Sequence, residues 1–140
     1  MGGRIAETDA DVRACFPVMA TLRTDRTDED AFLARVRLQE RTGYRLAYVA
    51  EAGRVVAVAG FRIGENLAWE RFLYVDDLVT LPAARSRGHG KALLDWLAGY
   101  GRSQGCGQLH LDSGTQRTEA HRFYEREGFS ASSLHFRRDL

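Results

Sequence analysis

Apolar residues recur along the chain at two spacings, and each change of spacing marks a new element. From Asp9 to Arg23 the residues Val12, Phe16, Met19 and Leu22 return every three or four positions, the period of a helix with one buried face. A second helix is predicted over Asp28 to Arg41, carried by Phe32, Leu33, Val36 and Leu38. Its entry, TDED, is acidic and suits the positive end of a helix dipole. Ahead of both, RIAE reads as a short strand. The period then shortens. YRLAYVAE and RVVAVAGFRI are predicted strands joined by Ala52-Gly53, where glycine supplies the positive φ of a tight hairpin. After a turn at GEN, one long strand covers Leu67 to Leu81. A helix from Arg87 to Gln104 buries Leu93, Leu94, Leu97 and Tyr100, and QLHLDS follows as an alternating strand. Thr118 to Glu127 is a last helix, stopped by Gly128 in a C-cap position. SLHFRRDL is expected to close the chain as an edge strand.

The predicted order is β-α-α-β-β-β-α-β-α-β. Its central strand–helix–strand passage implies a parallel pair with a right-handed crossover, while the earlier hairpins imply antiparallel pairing. The fold class is therefore α/β in the α+β sense, a mixed and mostly antiparallel central sheet flanked by helices. With 140 residues and no repeat or linker, a single domain over 1–140 is expected.

Charge narrows the partners. The chain has 20 Lys and Arg against 19 Asp and Glu, a net charge of +1, so bulk electrostatics favours neither nucleic acid nor a membrane surface. Any basic site must be local. No apolar run approaches the ~18 residues of a membrane span, and MGGRIAETDAD lacks the apolar core of a secretory signal. A cytoplasmic protein is expected. Cys15 and Cys106 stand far apart, outside any metal-binding or redox spacing, and read as reduced thiols. The four histidines, His89, His110, His121 and His135, lack paired ligand spacing, so no metal is expected.

The candidate chemistry lies where the long strand meets the next helix, in DDLVTLPAARSRGHGKALL. Helix starts favour Ser, Thr, Asp or Asn caps; here glycines and basic residues stand instead. A P-loop would need glycine at 85 and Ser or Thr at 92, where Arg85 and Ala92 are found. The dinucleotide fingerprint would need a third glycine where Leu93 stands. What remains is R-x-x-G-x-G. Backbone N–H groups around Gly88 and Gly90 can converge on one anion, helped by the helix dipole and by Arg85, Arg87 and Lys91 at the rim. The alternative is a tight glycine turn with solvated basic residues. His89 by itself reads as a loop residue.

Together with AHRFYEREGF downstream, this stretch resembles the GNAT superfamily of N-acetyltransferases, along nearly the whole chain. The resemblance implies acetyl-CoA as co-substrate. It implies that Arg85, Gly88 and Gly90, with Ser86, Arg87, His89 and Lys91 as intervening backbone donors, hold the pyrophosphate. It also implies that Leu78, Val79 and Thr80 meet the pantetheine arm and polarise the thioester, and that Tyr124 protonates the departing thiolate. One position departs from the family: Arg117 stands where an asparagine is often found, seven residues before Tyr124. The acceptor would be an amine, and a homodimer, common in such folds, is compatible with the sequence.

An ammonium with a pKa of about 10.4 must lose a proton before it attacks. Asp76 is the candidate base, at a place where polyamine-type members carry an acid, with ordered water as the alternative. Asp77 is adjacent and should face the other side of a regular strand, while Glu70 shares the parity of Asp76 if no bulge intervenes. Asp76 and Asp77, with Glu29 or Asp30, would favour a cationic amine by Coulomb attraction. Asp112, Ser113, His110 and His121 suggest a nucleophile triad, but no G-x-S-x-G elbow is present. Phe123 and Tyr124 could alternatively both be core aromatics. Two functions stay open: an N-acetyltransferase, or a silent acyl-CoA-binding sensor or interaction module of the same fold.

Overall fold

A computed structural model describes residues 2–140. Its elements are β1 (Arg4–Ile5), α1 (Asp9–Leu22), α2 (Glu29–Glu40), β2 (Tyr44–Glu51), β3 (Arg54–Asn66), β4 (Glu70–Thr80), α3 (His89–Ser103), β5 (Gln108–Leu111) and α4 (Thr118–Arg126). A 3-10 turn over Pro82–Ala84 separates β4 from α3. The chain forms two compact units, residues 1–110 and 111–140.

In the first unit the strands lie in the order β1-β2-β3-β4-β5, with β1–β2, β2–β3 and β3–β4 antiparallel. Helices α1 and α2 begin where side chains can satisfy their first N–H groups. Thr8 and Asp11 form a reciprocal capping box at α1, and the Asp28 carboxylate accepts from Asp30 and Ala31 at α2. Helices α1 and α2 bury Val12, Val18, Met19, Phe32 and Val36 together with Leu46 and Val58 of the sheet. Phe61, of opposite parity to Val58, meets Trp96 and Tyr100 of α3 edge-on, with ring centroids 6.1 and 5.7 Å away. Strand β3 is thus buried on both faces, which is why Val55 to Phe61 reads as one apolar run without alternation.

The ladder between β3 and β4 breaks once. Phe61 pairs with Val75 and Gly60 with Asp77, so Asp76 is an extra residue on β4, a β-bulge. Gly60 faces this bulge without a side chain because there is no room for one. A Cβ there would fall on the Tyr44 hydroxyl and lie 2.7 Å from Asp77 Oδ2.

Several boundaries differ from expectation for local reasons. Helix α3 starts at His89 rather than Arg87, because Ser86 (φ 65°) and Gly88 (φ 82°) are left-handed and cannot lie within it. Strand β3 runs to Asn66, whose side chain accepts from Trp69 N–H at 2.6 Å and closes the turn, so β4 begins only at Glu70. Leu38, expected in the core of α2, is 50 % exposed. The expected closing strand is a correction. Residues 129–140 carry no strand ladder, and Leu134 and Phe136 stand exposed. Alternation alone does not make a strand; the backbone must also find a partner edge.

A buried and an exposed leucine make a direct contrast. Leu73, fully buried beneath α3, should cost about 2–5 kcal/mol when cut to alanine. Leu38→Ala should change stability by no more than about 0.5 kcal/mol. Gly60→Ala should destabilise by about 1–3 kcal/mol, since Tyr44 and Asp77 must move apart. Urea unfolding midpoints measure all three, and equal midpoints for the two leucine variants would contradict this packing.

Candidate active site

The turn ahead of α3 is built to leave backbone N–H groups unfilled. The N-cap residue is Gly88, left-handed and without any side-chain cap, and the first helical bond runs from Ala92 N–H to the Gly88 carbonyl at 2.9 Å. The amides ahead of Ala92 therefore have no helical acceptor. Ser86 and Gly88 are both left-handed, a backbone conformation that anion-binding nests use. A Cβ on Gly88 would meet nothing within 4 Å, so its glycine serves the backbone conformation rather than a packing need.

The rim is less uniformly basic than the sequence suggests. Arg87 donates to Glu51 Oε1 at 2.8 Å, and Lys91 to Asp95 Oδ2 at 3.0 Å. Among the described residues, Arg85 has no such partner. His89 is not a loop residue. Its side chain turns inward and is 1 % exposed, with Nε2 3.0 Å from Glu51 Oε2 and no hydrogen-bond partner at Nδ1. Glu51 thereby ties the end of β2 to two residues of this turn. Sequence reasoning missed that clasp, because no local spacing connects residue 51 to 87 and 89.

Strand β4 leads from the bulge to this turn. Leu78, Val79 and Thr80 pair with Ala59, Val58 and Ala57 on one edge and are half-buried. At the bulge the expected geometry changes. Adjacent residues face opposite sides only on a regular strand; the extra residue brings both Asp76 and Asp77 to the wall of one cavity of about 390 Å³. Met19, Phe32 and Val36 form its apolar side, and Glu70 is not part of its wall.

Neither carboxylate is unpaired. Asp76 accepts from Arg62 Nη2 at 2.6 Å and from Arg62 Nε at 3.0 and 3.1 Å, while Arg62 also reaches Gln39 Oε1 at 3.0 Å. Those hydrogen bonds to Asp76 push the Arg62 guanidinium up and keep it charged. Asp77 accepts from Arg23 Nε at 2.7 Å and from the Tyr44 hydroxyl at 3.3 Å. Burial, reinforced by Asp77, pushes the Tyr44 phenol up, so it stays protonated and donates. Glu29 and Asp30 bind Arg13 at 3.0 and 2.7 Å. The carboxylates expected to attract a cationic amine are therefore each already held by an arginine.

The second unit carries Tyr124 on α4. Its ring packs against Phe123 and Phe129, with centroids 5.4 and 5.8 Å away, and its hydroxyl has no hydrogen-bond partner among the described residues. Burial pushes the phenol up and Arg117 pulls it down to a smaller extent, so a proton remains there at neutral pH. Arg117 is the N-cap residue of α4. The triad suggested by Asp112, Ser113 and the histidines is not assembled. Ser113 Oγ has no hydrogen-bond partner, and His121 Nε2 lies 2.7 Å from the Gly114 carbonyl oxygen. Cys15 and Cys106 are free, and burial pushes the Cys15 thiol up to about 12. Among the described residues, no three His, Cys, Asp or Glu side chains cluster as metal ligands, and no helix is long and apolar enough to cross a membrane.

Comparison with known proteins agrees with this geometry. The acetyltransferase (GNAT) family model matches residues 7–129. An uncharacterized N-acetyltransferase of Bacillus subtilis, YhdJ, is 35 % identical over 127 residues, 89 % of each chain. The aminoalkylphosphonate N-acetyltransferase of Salmonella typhimurium is 29 % identical, covering 95 % of this chain and 88 % of that one. Among solved structures, a Trypanosoma brucei acetyltransferase superposes with a TM-score of 0.83 at 26 % identity, over 99 % of this chain and 98 % of the other. With an uncapped helix start at the end of β4 and a family match over most of its length, the chain belongs to the GNAT family of N-acetyltransferases.

Proposed function

We propose that this protein transfers the acetyl group of acetyl-CoA to a primary amine of a small molecule or peptide by direct attack, working in the cytoplasm as one domain over residues 1–140. The observation that carries this reading is the uncapped start of α3, with left-handed Gly88 and an Arg85 that has no partner among the described residues, joined by a single strand to a cavity lined by Asp76. An open helix N-terminus beside a free guanidinium fits the pyrophosphate of CoA in charge and in donor geometry. The backbone donors are those of Ser86, Arg87, Gly88, His89, Gly90 and Lys91. Buried His89 contributes its main chain, and its imidazole braces the turn against Glu51.

Acetyl-CoA supplies the thioester, and the remaining roles fall to this chain. Leu78, Val79 and Thr80 offer main-chain groups to the pantetheine arm, and an N–H of this segment stabilises negative charge on the thioester oxygen. Asp76, in the cavity wall, holds the acceptor nitrogen or the water that takes its proton. Bound to Arg62, it suits orientation and relay better than a free carboxylate would. Tyr124, protonated and without an internal acceptor, holds a proton for the departing sulfur. The Salmonella relative is named for an amine-bearing acceptor, which supports an amine here.

Tyr124→Phe should lower kcat by about tenfold or more while leaving CoA affinity unchanged, as expected when a proton donor is lost. Arg85→Ala should weaken CoA binding by about tenfold, the loss of one charge-assisted contact. Thiol release under saturating acetyl-CoA and isothermal titration with CoA separate the two effects. Undiminished turnover in Tyr124→Phe would remove the acid assignment, and unchanged CoA affinity in Arg85→Ala would remove the anion nest.

A further inference from the structure

The arginines of the acceptor cavity outnumber the acids that could neutralise them. Arg23, Arg26 and Arg35 line it against Asp76 and Asp77 alone. Asp77 is committed to Arg23 at 2.7 Å, and Asp76 to Arg62 at 2.6 Å. Among the described residues, Arg26, in the connection between α1 and α2, and Arg35, on α2, have no carboxylate partner. Two guanidinium groups thus reach one concave site from different elements, beside the apolar side chains of Met19, Phe32 and Val36. Solvated surface arginines would be the ordinary reading for either residue alone. Two lining the same cavity, whose other charges cancel in pairs, make its surplus positive and focus that field. Planar guanidinium forks also match the tetrahedral oxygens of a phosphoryl group.

We infer that the acceptor carries an anionic phosphoryl or phosphonyl group besides its amine, with Arg26 and Arg35 holding the anion while the amine lies toward Asp76 and the Tyr44–Asp77 pair. The inference rests on the transferase reading for what happens to the amine, but the anion site stands on its own charges. It reverses the sequence-based expectation of a cationic acceptor, and the reason is physical. The carboxylates behind that expectation are internally paired, and the arginines left over set the sign of the cavity. A volume of about 390 Å³ lies within the usual range for small-molecule sites.

The test compares 2-aminoethylphosphonate and O-phosphoethanolamine with ethanolamine and 1,4-diaminobutane in thiol release, using the full chain and its R26Q/R35Q double variant. Binding is read separately by titrating 2-aminoethylphosphonate into the CoA-loaded protein. The expected kcat/KM for the two anionic amines exceeds that for ethanolamine by about tenfold or more, as two charge-assisted contacts imply. The double variant should erase that gap and weaken phosphonate binding about tenfold, with turnover of ethanolamine and CoA affinity retained. Preference for the diamine, or a gap that survives in the double variant, would overturn the proposal. Phosphonate binding that is lost in the variant, without thiol release from any amine, would uphold the anion site and defeat the transferase reading. Release from ethanolamine without phosphonate binding would do the reverse.

Discussion

The bulge at Asp76 is the constraint on which the cavity beside it depends. One residue too many on β4 changes which way the strand presents its side chains, and it does so next to a glycine that leaves room for the Tyr44 hydroxyl. Two carboxylates that a regular strand would send to opposite faces share one cavity as a result. Each then needs a counter-charge, because two carboxylates in a partly dry site repel and are poorly solvated. Arg62 comes from the neighbouring strand and Arg23 from the residue after α1, so the Arg23–Asp77 pair also fastens the α1 end to the sheet.

Leu78 to Thr80 carry the chain from the cavity to the 3-10 turn and the open start of α3, so one strand joins the proposed acceptor pocket to the proposed pyrophosphate site. The two stations differ in how they obtain positive charge. At α3 it comes mainly from backbone N–H groups and the dipole, with Arg85 added, since Arg87 and Lys91 have carboxylate partners of their own. In the cavity it comes from side chains that remain after the acids are paired.

Local patterns made most of this fold legible in the sequence. The helical period of α1 and the hairpin at Ala52-Gly53 each depend on neighbours within a few residues, and each lies where the pattern put it. The parts that could not be read depend on contacts distant along the chain. The bulge follows from pairing between β3 and β4, fourteen or more positions apart in the sequence, and nothing in DDLVT announces it. The burial of His89 depends on Glu51, and the sign of the acceptor cavity on Arg23 and Arg62 meeting Asp77 and Asp76. The closing segment shows the converse failure. Leu134 and Phe136 have the spacing of a strand, yet spacing cannot supply the missing edge.

The central claim is that CoA binds along the second half of β4 and at the open start of α3, leaving the arginine-lined cavity to the acceptor. Backbone amide spectra recorded during a titration with CoA test it most directly. Saturable shifts at Leu78 to Thr80 and at Arg85 to Lys91, with the amides of Arg26 and Arg35 unmoved, are the predicted result. Saturable binding that leaves Gly88 to Lys91 unchanged, or that moves Arg26 and Arg35 instead, would contradict it.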